Sequence, residues 1–210
     1  DINPDIIVMT GDMVSFDMEN IEEVKNLIES LAESYSIYYI DGNHEHLAEF
    51  LRSGRYVSFM EFMKELGVTT ITNDYVEIYR GDKAINLYGI NLPLDWTTGL
   101  YVNRYQLEKN YVEKTLPEVD EEKFNILLAH NPIFFNQYSE WGADLILSGH
   151  MHGGIIRIPF TNIGLLSPEK SIFPRYDSGE FSIEESTMIV NRGIGTSSFK
   201  LRIFNNPEIT

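Results

Sequence analysis

Residues 5–9 read DIIVM, an almost unbroken apolar run of the kind a buried strand requires, and residues 36–40, SIYYI, repeat it. Between them, ENIEEVKNLIESLAES (19–34) places Ile21, Val24, Ile28 and Leu31 three and four apart behind an acidic first turn, which predicts an amphipathic helix. A further helix is expected near Tyr56 to Leu66, ended by Gly67. Short strands follow at 68–71 (VTTI), 75–79 (YVEIY) and 84–90 (AINLYGI), so the early βαβ order gives way to a meander. Asn103 to Leu116 is read as another helix. FNILLA (124–129) and DLILS (144–148) are read as buried strands separated by a Pro132 loop and a short helix. Beyond Ile155, strands alternate with proline and glycine turns, TMIVN (187–191) and KLRIF (200–204) being the clearest. No repeat or low-complexity linker interrupts this order, which predicts one α/β domain over residues 1–210 with helices covering strands on the outside.

Composition narrows the partners. With 16 basic and 32 acidic residues the net charge is −16, so the chain repels polyanions and has no basic stretch to neutralise a nucleic-acid backbone. It contains no cysteine, which excludes disulfides and thiolate chemistry. No apolar run is long enough for a spanning helix. The chain begins at Asp1 rather than Met and enters a strand almost at once, as a piece excised from a longer chain would.

Four apolar strands end at a metal-capable residue: Asp12 after DIIVM, Asn43 and His44 after SIYYI, His130 after FNILLA, and His150 with His152 after DLILS. Taken singly, each has a structural reading as a turn residue, a cap or a hydrogen-bonded histidine. Taken together, they match the rule that ligands of α/β proteins gather at the carboxyl ends of strands. GHMHGG (149–154) is the strongest of these motifs, because two imidazoles two apart can address one centre and the glycines permit close backbone approach. His46 carries no such support and is read as structural or solvent-exposed. A set of oxygen and nitrogen ligands without sulfur suits Mn, Fe or Zn in a catalytic rather than a structural site.

In this order TGD (10–12), GNHE (42–45), LLAHNP (127–132) and GHMHGG (149–154) resemble the calcineurin-like metallophosphoesterases. The tail NRGIGTSSFKLRIFNNPEIT (191–210) resembles their bacterial branch of membrane-associated phosphodiesterases and UDP-diacylglucosamine pyrophosphatases. The resemblance implies a four-layer α/β/β/α sandwich with two mixed sheets and a two-metal centre between them. Carried over by position, Asp12 would bridge the metals, Asn43, His130 and His150 would complete one site, and His152 would belong to the other. His44 would face the phosphate as general acid or charge stabiliser.

Two departures accompany the match. The family opens with a strand ending in Asp-x-His, absent upstream of Asp12, so one βα unit, roughly 30 residues in all, is expected to be missing, and both ends look trimmed. On that reading the piece would hold at most one tightly bound ion and turn over poorly, whereas the full-length protein would hold two. Second, Ser15 stands where many relatives place an aspartate that orients the catalytic histidine, leaving Asp17 or Asp41 as substitutes.

The expected function is metal-dependent hydrolysis of a phosphodiester or pyrophosphate, on a small or lipid-linked substrate, by a two-metal-activated water, with Arg192 meeting a substrate phosphate. The alternative is a catalytically impaired binding or scaffold module of the same fold. A metal amidohydrolase would place its paired histidines near the first strand, contrary to the order here. The resemblance favours a membrane-associated or extracytoplasmic setting with a tether outside this sequence; composition is equally compatible with the cytoplasm.

Overall fold

Side chains of a strand point alternately to its two faces, and this alternation sorts the apolar residues of the computed structural model into three clusters. The structure describes residues 2–15, 17, 21–93, 107–161, 163–168, 171–196 and 202–210. Among these, β1 (Ile6–Met9), β2 (Ser36–Tyr39) and β3 (Thr69–Thr70) form a parallel sheet in the order β1-β2-β3. A second, mixed sheet runs β4 (Asp74–Arg80), β5 (Lys83–Ile90), β6 (Phe124–Ala129), β7 (Leu145–Ser148), β9 (Ser186–Val190), β8 (Gly179–Ile183).

Within β2 and the residue after it, Ile37 and Tyr39 face one way and Tyr38 and Ile40 the other. The first pair packs with Ile28 of α1 (Glu22–Ala32) and with Phe59 and Met63 of α3 (Gly54–Glu65), covering the outer face of the small sheet. The second pair meets Leu87 of β5 and Leu128 of β6 in the layer between the sheets. On the far side of the large sheet, Tyr88, Leu127, Ala129 and Ile146 pack against Val112 of α4 (Tyr111–Thr115) and Phe135 and Tyr138 of α5 (Phe135–Trp141). The layers are therefore α/β/β/α. The core residues are close to fully buried, each contributing about 1.5–3 kcal/mol.

Several elements differ from the sequence pattern. Residues 43–50 form α2 (Asn43–Phe50), where no helix was expected because its sequence, NHEHLAEF, is mostly polar. It starts directly at the GNHE motif. The long helix expected over 103–116 is a single short helix among the described residues, 103–106 lying outside them. KLRIF shows only one parallel bridge, Ile156 to Ile203, with residues 200 and 201 outside the description. Phe204 has φ of 52°, which takes the backbone out of the extended region and stops a strand there.

Candidate metal centre

The strands that end in candidate ligands, β1, β2, β6 and β7, are each parallel to their neighbour, so within each sheet those ends lie along one edge. The two sheets are then locked together at that edge. His130 Nδ1 lies 2.6 Å from the Thr10 carbonyl, beyond β1, and the His130 carbonyl accepts from Gly149 N at 3.1 Å, beyond β7. Gly11 (φ +93°) and Gly42 bring the TGD and GNHE loops into backbone contact; a side chain on Gly42 would overlap the Asp12 carboxylate.

This closure unites residues far apart in sequence. Asp12 Oδ2, Asn43 Oδ1 and His150 Nδ1 lie 3.2, 3.1 and 3.2 Å from His130 Nε2. The His44 backbone N–H donates to Asp12 Oδ1 at 3.0 Å. Asp12, His130 and His150 each offer a ligand atom, all within 4.8 Å of one another. His152 is outside that trio but half-buried on the same loop, and it feels the charges of Asp12, His150, His130 and His44. Asp12, His150 and His152 all have left-handed backbone (φ 59°, 65° and 52°), a conformation that costs roughly 1–3 kcal/mol each and is typical of functional sites.

The donor chemistry fits a cation. A carbonyl can only accept, so the bond to Thr10 requires a proton on His130 Nδ1, and the neutral ring then turns its Nε2 lone pair inward. Facing it are a carboxylate oxygen and an amide oxygen, both acceptors. Burial works against charge on both His130 and Asp12, but their attraction outweighs it, raising the His130 pKa and holding Asp12 well below the usual carboxylate range. A divalent ion held by these donors would compete with the His130 proton. His152 moves the other way, to about 4, because burial outweighs the pull of Asp12.

Residues without a role in the sequence reading hold the loops. Glu45, fully buried, accepts from the N–H groups of Asp12 (2.8 Å), Val14 (2.8 Å) and Gly42 (2.9 Å), tying the TGD turn to the start of α2. Burial, followed by the charge of Asp12, pushes its pKa up to about 7, against the opposing backbone donors. An acidic residue at the third position of a helix is a capping signal that marked it in the sequence. Asn205 donates to the carbonyls of His152 (2.5 Å) and Ile155 (3.4 Å). Arg157, buried, reaches the Gly153 carbonyl (2.7 Å), Asp177 (3.2 Å) and Ser178 (2.9 Å). Nothing in the local sequence links these residues to the histidine loop, since the contacts are made by tertiary folding.

Arg192 lies beside the site, its methylenes packed over Gly153, but Glu208 takes its guanidinium through bonds of 3.1 and 2.8 Å, with which a phosphate would have to compete. His46 is half-buried, bonded to the Leu92 backbone, and lines a groove with Glu49, Phe50, Asn91, Leu92 and Pro93; burial lowers its pKa.

A half-buried carboxylate, two buried imidazoles and an amide oxygen, gathered at strand ends between two sheets, form a donor set of the kind metallohydrolases use. The sequence assigns it more closely: residues 1–154 match the calcineurin-like phosphoesterase family model, and the chain belongs to that family of metal-dependent phosphoester hydrolases. It is 26% identical to an uncharacterized metallophosphoesterase of Aquifex aeolicus over 98% of this chain and 71% of that one. It is 28% identical to the uncharacterized metallophosphoesterase YkuE of Bacillus subtilis (99% and 66%) and 27% identical to the phosphodiesterase YaeI of Escherichia coli (99% and 69%).

Proposed function

We propose that this chain, acting as one domain, hydrolyses a phosphodiester or pyrophosphate bond in a small or lipid-linked substrate. The observation that carries the reading is the meeting of Asp12, Asn43 and His150 donor atoms within 3.2 Å of His130 Nε2. The name of the Escherichia coli relative supports diesters over monoesters. In this reading Asp12, Asn43, His130 and His150 hold one divalent ion, Mn, Fe or Zn, tightly, whereas Asp12 and His152 give a second only two ligands and hold it weakly, so that turnover by this chain is slow.

Bound ions in such a centre supply Lewis acidity, polarising phosphoryl oxygens and acidifying water. The protein supplies the rest. Asp12 is pinned by its own N–H on Glu45 and by the His44 N–H on its Oδ1, so its carboxylate meets the ions already oriented. His130 is fixed in one tautomer by Thr10. His44 acts as general acid for the leaving oxygen.

The test is release of p-nitrophenolate from bis(p-nitrophenyl) phosphate by Mn-reconstituted protein, with a pyrophosphate substrate in parallel. Turnover that falls by at least about 10²-fold in His150→Ala is the expected result. Unchanged turnover in that variant, or none in metal-loaded wild type on either substrate, overturns the reading, the second outcome in favour of a binding module.

A further inference from the structure

We infer that Asp17 and Ser15 form a two-residue relay that fixes the tautomer of His44, so that His44 Nε2 is the ring nitrogen left to serve the substrate. The inference rests on the phosphoesterase reading for its consequence, though not for its geometry. Ser15 Oγ donates to Asp17 Oδ1 at 2.5 Å, and His44 Nδ1 lies 3.1 Å from the same Ser15 Oγ.

A hydroxyl has one proton and two lone pairs. The Ser15 proton is committed to Asp17, whose carboxylate, when ionised, only accepts. Ser15 Oγ therefore offers His44 nothing but lone pairs, so Nδ1 must carry the hydrogen of that contact. Nε2 of the neutral ring is then the unprotonated nitrogen, and in the cation it is the one whose proton is not already held by the protein.

The bond to Ser15 also draws the Asp17 pKa down, ahead of a smaller opposing effect of burial, keeping the acceptor ionised at neutral pH. Arg55 adds to that effect. Asp41, the other carboxylate the sequence offered for this role, accepts from the Tyr56 hydroxyl at 3.0 Å. The carboxylate missing from position 15 is thus supplied from position 17, one hydroxyl further from the ring. Ser15 and Asp17 are positioning residues: neither is needed for metal or substrate contact.

The experiment is a double-mutant cycle on the whole chain with bis(p-nitrophenyl) phosphate: Ser15→Ala, Asp17→Asn and the pair. Each single change should lower kcat roughly 10- to 100-fold with KM within about twofold, the scale of one charge-assisted hydrogen bond. The pair should be no worse than Ser15→Ala, because both act through one contact, and Ser15→Thr should keep near-wild-type kcat. Wild-type kcat in Asp17→Asn, or losses that multiply in the pair, overturns the relay.

A second readout needs no turnover. In zinc-loaded protein, ¹⁵N–¹H correlation of the histidine rings should show His44 protonated at Nδ1, with that population reduced in both Ser15→Ala and Asp17→Asn. A spectrum showing the neutral ring protonated at Nε2 and not at Nδ1, or unchanged by either substitution, overturns the relay. If wild type cleaves neither diester nor pyrophosphate, the functional reading fails and the ring spectra alone decide the relay.

Discussion

At the scale of single residues, the site is a set of groups whose protonation depends on each other and on burial. Glu45 shows how much rests on one side chain without any role as ligand. Its two oxygens face three backbone N–H donors, so a glutamine there would turn its own NH₂ against donors. Glu45→Gln should therefore destabilise the fold by about 2–4 kcal/mol, although the change is nearly isosteric, and guanidinium unfolding of the two proteins measures it. His152 gives the molecule a pH dependence of its own. Its folded pKa of about 4 lies below the unfolded 6.5, so folding favours the neutral ring. That stability is fully present above pH 6.5 and is lost as pH falls towards 4. In metal-free protein the loss should reach about 2–3 kcal/mol after allowance for partial exposure. Comparing denaturation midpoints of wild type and His152→Gln at pH 7 and pH 4.5 isolates it, since the carboxylates and the other histidines titrate in both; parallel midpoints would refute it.

At the scale of elements, the histidine loop is shaped by segments that follow it by up to 53 positions. The turn after β7 holds His150 and His152 in left-handed backbone, which the residues themselves disfavour. It is kept there by Asn205 on the carbonyls of His152 and Ile155, and by Arg157 on that of Gly153. Glu208 secures the tail segment that carries Asn205, through the Arg192 guanidinium and backbone N–H. Asn205→Ala should release the turn, costing about 1–3 kcal/mol for the carbonyls left buried without partners. The change should also weaken zinc binding by roughly an order of magnitude, which isothermal titration reads directly. An Asn205→Ala protein with wild-type stability and zinc affinity would show that the turn holds itself.

At the scale of the whole molecule, two sheets meet through Ile40, Ile71, Leu87 and Leu128, and that contact brings the carboxyl ends of β1 and β2 against those of β6 and β7. How much of this was legible depends on the range over which each feature is set. The strands β1, β2, β6 and β7 and the helices α1 and α3 announce themselves by period, because a buried run or an apolar stripe is a local property. Helix α2 did not, since only two of its eight residues are buried and its polar face carries no periodic signal. The terminal strand was over-read, for apolar residues such as Phe204 remain exposed at a bend.

The same division holds for the site. Asp12, Asn43, His44, His130, His150 and His152 could be picked out because each lies at the end of an apolar run, and strand alternation together with parallel order sends such ends to one side. The sequence by itself thus determined the α/β class, the strand ends that bear the polar side chains of the candidate site and the absence of thiolate chemistry. Only the tertiary structure decided which donor atoms meet at His130 Nε2, that Thr10 sets its tautomer, that Glu45 and Asn205 hold the loops, and that Asp17 reaches His44 through Ser15. The physical reason is range: periodicity is fixed by neighbours a few residues apart, whereas a hydrogen bond a few ångströms long between residues 50 or 120 positions apart exists only after the sheets have packed.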